Sequence, residues 1–150
     1  MRTIIQRVSE ANVLINQQER RSIKRGFMIL IGITHEDNID DITWLVQKIS
    51  KLRVFADAEG VMNLNINEVK GEVLLISQFT LHASTKKGNR PSYIEAAKPD
   101  IAIPLYKEFI KQLNSELNNQ LLTGEFGADM QVQLTNDGPV TILIDSKNKE

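Results

Sequence analysis

The run FMILIGI, Phe27 to Ile33, is apolar almost throughout. A strand with one wet face alternates apolar and polar residues, so a short unbroken run is a strand covered on both faces. It belongs at the centre of a sheet, and the rest of the chain must supply its cover. Two helical patterns do so. After the polar break THEDN, apolar residues recur at Ile39, Ile42, Leu45, Val46, Ile49 and Leu52, the spacing of an amphipathic helix with Trp44 packing beside its buried face. A second helix is expected from about Ile101 to Leu117, with Leu105, Phe109, Ile110, Leu113 and Leu117 inward, Asp100 as N-cap and Pro104 in the first turn.

The other segments carry strand signals. RTIIQRV and ANVLIN show partial alternation, and QQER after Asn16 supplies a polar turn. EVLLISQFTL (Glu72 to Leu81) reads as another strand, and the chain returns to strand from Leu121 onward. β-rich ends with two inserted helices give an α+β fold: a largely antiparallel sheet or barrel-like core, two main helices, and a single domain over residues 1–150. No repeat, low-complexity stretch or linker divides it, and a chain of 150 residues buries a core without a disulfide or metal staple.

Several chemistries are excluded. With no cysteine there is no thiol nucleophile, disulfide or thiolate zinc site. The two histidines, His35 and His82, lack ligand spacing, so no metal and no cofactor are expected. The opening MRTIIQRV has no signal-peptide character and no apolar run reaches membrane-span length, which points to a soluble cytoplasmic protein without a membrane partner. The net charge of −1 gives no global basic field. The one local basic cluster is KKGNR, in which Lys86, Lys87 and Arg90 surround a Gly-Asn turn; it is either a solvated loop or an RNA contact.

Two stretches raise the question of a site. In TNDGPVTILID, Gly138-Pro139 interrupts strand-forming residues. A hairpin joining MQVQLT to VTILID through Asn136-Asp137-Gly138 is the simpler reading, and a close approach by another molecule is the other. In SQFT, a continuing strand would put Gln78, Thr80 and His82 on one face and Ser77, Phe79 and Leu81 on the other. A Thr80–His82 couple is disfavoured, because residues two apart on a strand lie roughly 7 Å apart. Gln78 is the more useful group, since an amide can orient a carbonyl or a water. The N–H groups of Phe79 and Thr80 could stabilise an oxyanion only outside the sheet ladder. In FGADM, Gly127 suits an unusual backbone angle and Met130 suits the core.

Taken together, SQFTL (Ser77 to Leu81), KKGNRPS (Lys86 to Ser92), FGADMQV (Phe126 to Val132) and NDGPVT (Asn136 to Thr141) resemble the D-aminoacyl-tRNA deacylases in order and spacing. MRTIIQRVSEANV and EGVMNLNI extend the resemblance over essentially the whole chain. It implies a barrel-like α+β fold and a cytoplasmic homodimer with active sites at the subunit interface. It also implies hydrolysis of the ester joining a D-amino acid to the terminal adenosine of tRNA, with mischarged glycyl-tRNA as a further substrate. Gly138-Pro139 is then a cis pair inserted into the partner subunit's site, where its carbonyls exclude an L side chain by contact with backbone alone.

Residue by residue, the resemblance implies Gln78, Phe79 and Thr80 as the catalytic set, and Ser77, Met130, Gly138, Pro139 and Arg7 around the substrate. Arg7 either braces the Gly-Pro motif or forms a surface salt bridge. Lys86, Lys87 and Arg90 are candidates for acceptor-stem phosphates. His82 stands where the family more often has Tyr, and Asn89 where it often has Arg. Two mechanisms stay open. Thr80 acts as a nucleophile without an obvious base, or Gln78 and the backbone at Phe79 and Thr80 hold the ester while the ribose 2′-hydroxyl helps activate water. The second is preferred. The competing readings are an RNA-binding module that has lost hydrolysis, and a small-molecule esterase, for which no G-x-S-x-G elbow is present.

Overall fold

The computed structural model describes residues 1–149. Its main sheet begins with one long strand, β1 (Arg2–Ile15), so RTIIQRV and ANVLIN are halves of a single element. The turn that follows is tighter than QQER suggests: Asn16 and Gln17 take positive φ (47° and 58°), and β2 (Glu19–Ile23) already includes Glu19 and Arg20. The apolar run is β3 (Gly26–Gly32), where Phe27, Ile29 and Ile31 are at most 1% exposed. It lies mid-sheet, as its covering on both faces requires.

Helix α1 (Ile39–Ser50) follows, started by a capping box in which Asn38 accepts from the Asp40 and Asp41 N–H groups and Asp41 accepts from Asn38 N–H. A small hairpin, β4 (Phe55–Ala56) with β5 (Met62–Leu64), leads to β6 (Glu72–Ser77). Helix α2 (Pro99–Glu116) begins earlier than expected: Lys98 is the N-cap, and Pro99 at the first position has no N–H to satisfy. Asp100 lies within the first turn, and Pro104 lies inside the helix, past that turn. The chain then returns through β7 (Leu121–Thr123) to β8 (Met130–Asp145).

The sheet order is β2-β1-β3-β6-β7, with β8 on the other edge of β1. β1 pairs antiparallel with β2, β3 and β8, whereas β3-β6 and β6-β7 are parallel. The sheet is therefore mixed and nearly closed into a barrel, with α1 and α2 serving as the long crossovers that parallel neighbours need. Met28, Leu74 and Ile76 face one buried cluster, while Phe27, Ile29, Val73 and Leu75 face the other with α1 and α2.

β8 is not a hairpin. Both its halves pair with β1, but a step of two residues along β1, Gln6 to Val8, is matched by a step of five along β8, Asn136 to Thr141. The segment between Asn136 and Thr141 is thus an excursion from a continuous strand, and it carries Gly138-Pro139.

Candidate active site

The site is built where β3 and β6 end. β6 stops at Ser77, and residues Phe79–His82 form a single 3-10 turn in place of the expected strand. That turn passes directly over Gly32: a Cβ there would lie 2.9 Å from His82 Cδ2 and 3.0 Å from both the Gln78 carbonyl oxygen and Leu81 Cβ. Gln78 N–H donates to Ile31 O at 2.7 Å, and Arg2 Nη1 donates to Leu81 O at 2.7 Å while its Nε reaches Asp145 at 3.0 Å. The turn is held at both ends.

Breaking the strand changes which residues share a face. Gln78 Nε2 donates to Thr80 Oγ1, which leaves the amide oxygen free to accept. Phe79 is exposed. The N–H groups of Phe79 and Thr80 open the turn and have no acceptor among the described residues. His82 is buried, and its Nε2 has no hydrogen-bond partner among the described residues. Burial pushes the imidazole below its ordinary value; the Gly32 carbonyl partly offsets this, and Arg2 and the N-terminal ammonium add to the depression.

A cleft of about 360 Å³ opens beside the turn. It brings together Ser77, Gln78, Phe79 and Met130, which the sequence had singled out, and Thr80 joins them through its bond to Gln78. Met130 does double duty, lining the cleft while packing against the second core cluster. Phe126 to Asp129, from the FGADM stretch the sequence had also singled out, line the cleft too, and Gly127 takes the unusual backbone angle expected of it, φ 78°. Sequence reasoning missed Ala97 and Ala102, whose small side chains leave the space open.

Arg7, Gly138 and Pro139 do not line this cleft. They form their own construction on the excursion of β8. The Gly138-Pro139 peptide is cis, and Gly138 has φ 124°. Arg7 lies opposite: its Nε donates to Asp137 O at 3.1 Å and pairs with the Asp137 carboxylate at 3.2 Å, and its Nη1 donates to Val54 O at 2.5 Å. Asn136, also missed, ties the base of the excursion by accepting from Val140 N–H at 3.0 Å and donating to Thr141 Oγ1 at 2.9 Å. The loop holding Lys86, Lys87 and Arg90 is fully exposed and closed at its neck by paired Ser84 and Ser92 backbones. Among the described residues no three His, Asp or Glu side chains gather as a metal cage, and no helix is long and apolar enough to cross a membrane.

Comparison with known proteins decides the family. The family described as D-Tyr-tRNA(Tyr) deacylase matches residues 4–145. The chain belongs to that family. It is 61% identical to the D-aminoacyl-tRNA deacylase of Bacteroides fragilis (strain YCH46) and 56% identical to that of Flavobacterium johnsoniae, each over 150 residues and the full length of both chains. Among solved structures it is similar to the c-Myc DNA unwinding element binding protein, at 37% identity and TM-score 0.90, covering 97% of this chain and 98% of that one. A probable eukaryotic D-amino acid tRNA deacylase shares the fold at TM-score 0.81 and 17% identity. Deacylase membership makes the chain a hydrolase of D-aminoacyl-tRNA.

Proposed function

We propose that the cleft beside Gln78 holds the aminoacyl ester of a D-aminoacyl-tRNA, and that the Gly138-Pro139 excursion of a second copy completes it. The observation carrying this reading is the separation of two built constructions on one chain: a cleft with free donors whose lining lacks Gly138 and Pro139, and a braced excursion that stands apart from it. A homodimer in which each chain lends its excursion to the other unites them. Carbonyls of the cis pair then occupy the space of an L side chain, so selection falls on the α-carbon and tolerates many D side chains, with glycine also admitted.

Within the cleft, the free N–H groups of Phe79 and Thr80 suit an oxyanion, and the free oxygen of Gln78 suits the α-amino group or an incoming water. Ser77 and Met130 shape the floor. Thr80 orients Gln78 and does not attack: its oxygen already accepts from the amide, and no base among the described residues takes its proton. The aminoacyl ester is reactive, so positioning with help from the ribose 2′-hydroxyl supplies the rest. Lys86, Lys87 and Arg90 meet acceptor-stem phosphates. A cytoplasmic location follows from the substrate.

The test is release of D-tyrosine and L-tyrosine from matched tRNA esters by purified protein, with chelator present. Fast loss of the D ester alone is expected. Binding of tRNA with neither ester cleaved above the buffer rate would favour a nucleic-acid-binding module, a reading the 37% identical DNA-element-binding structure keeps in play.

A further inference from the structure

Phe79 and Tyr93 are the exposed aromatic residues among those described, at 54% and 42%. They meet edge to face with ring centroids 5.0 Å apart. The contact with Phe79 fixes the Tyr93 ring while much of both rings stays open to water. Phe79 lines the cleft and Tyr93 does not, so the pair forms the cleft's rim.

The chain between them adds charge. Ser84 and Ser92 exchange backbone bonds of 2.8 Å and close the loop that carries Lys86, Lys87 and Arg90. None of these cations has a carboxylate partner among the described residues. Just past Tyr93, Ala96 N–H donates to Tyr93 O at 3.0 Å and Ala97 N–H to Ile33 O at 2.9 Å, which ties the ring's own segment to the end of β3. Exposed aromatic rings and unpaired cations on one segment are the means by which proteins hold single-stranded nucleic acid: bases stack while cations follow the phosphates.

We infer that Tyr93, held by Phe79, is a stacking platform for the nucleobase just upstream of the aminoacylated 3′-terminal nucleotide. This rests on the reading that the cleft holds the ester. The next base along the strand leaves the cleft at its rim, where the rings are. Stacking is tolerant of base identity, which suits an enzyme that serves many tRNAs through one single-stranded end.

The test compares three D-tyrosyl esters: full tRNA, a trinucleotide with the tRNA 3′ end, and adenosine alone. For Tyr93→Ala the expected result is a KM raised by about tenfold on tRNA and trinucleotide, with kcat held and both parameters on the adenosine ester as in wild type. Tyr93→Phe, which keeps the stacking ring, should restore the wild-type KM. Equal effects on all three esters, or none on any, would overturn the platform. So would a fall in the native mass of Tyr93→Ala, which would assign the rings to a contact between subunits. Failure of wild-type protein to cleave even the adenosine ester would instead refute the cleft reading beneath it.

Discussion

Replacing Gly138 with Ala tests the excursion at its most demanding point. Gly138 has φ 124°, a conformation L residues rarely adopt, and holding alanine there costs about 1–3 kcal/mol. The new methyl would also lie 2.9 Å from Arg7 Nη2 and Val140 Cγ2 and 3.2 Å from Val140 N. The Arg7 end cannot yield freely, because its Nη1 is bonded to Val54 O. A loss of about 2 kcal/mol lowers the melting temperature of a domain this size by about 4–8 °C, unless the excursion relaxes and moves Pro139. In either case the D-to-L ratio of tyrosyl-tRNA hydrolysis should fall, read by thermal melts and parallel deacylation assays. A variant that melts as wild type and keeps its D-to-L ratio would refute the reasoning, and one that melts earlier with selectivity intact would confine the motif to a structural role.

Arg7→Lys keeps the charge but cannot span Val54 O and Asp137 together; it should lower the melting temperature and weaken rejection of the L ester, and an unchanged profile would make Arg7 an ordinary surface pair. Thr80→Ala should retain D-ester hydrolysis within about tenfold, since only the anchor of Gln78 is lost; collapse of single-turnover chemistry with tRNA binding intact would restore Thr80 as nucleophile. His82 titrates lower in the folded state than its ordinary 6.5, so the unfolded chain binds the proton first on acidification. Stability should therefore be full above that value and decline as pH falls through the depressed one, and His82→Phe should flatten that part of the profile. Parallel profiles for the two proteins would show that His82 contributes nothing to acid sensitivity.

Local pattern sufficed where one residue type had one explanation. The unbroken run Phe27 to Ile33 could only be a doubly covered strand, and the apolar spacing from Ile39 onward marked a helix. It failed where distant contacts decide. Asn136-Asp137-Gly138 has the chemistry of a hairpin, but β1 pairs with both flanks and turns the motif into an excursion. The residues that fix it, Arg7 and Val54, are remote in sequence. SQFT reads as strand until the close approach to Gly32 is known. The parallel pairing of β3, β6 and β7 was hidden for a similar reason, since buried strands look alike in either direction. Of the site, Ser77, Gln78, Phe79 and Met130 do meet, while the walls from Ala97 and Ala102 carry no chemical signature by which to single them out.

The central claim is that one chain's excursion completes the other chain's cleft, and subunit mixing tests it directly. One variant keeps the excursion and carries Gln78→Ala; the other keeps the cleft and has residues 137–140 replaced by a short glycine-serine link. Each is assayed alone and after the two are unfolded and refolded together, with D- and L-tyrosyl-tRNA as substrates. The account predicts that selective D-ester hydrolysis, absent from either variant alone, returns in the mixture, because the mixed dimer holds one intact cleft facing one intact excursion. A mixture that behaves as the simple sum of its parts, with mixed dimers shown to have formed, would contradict it.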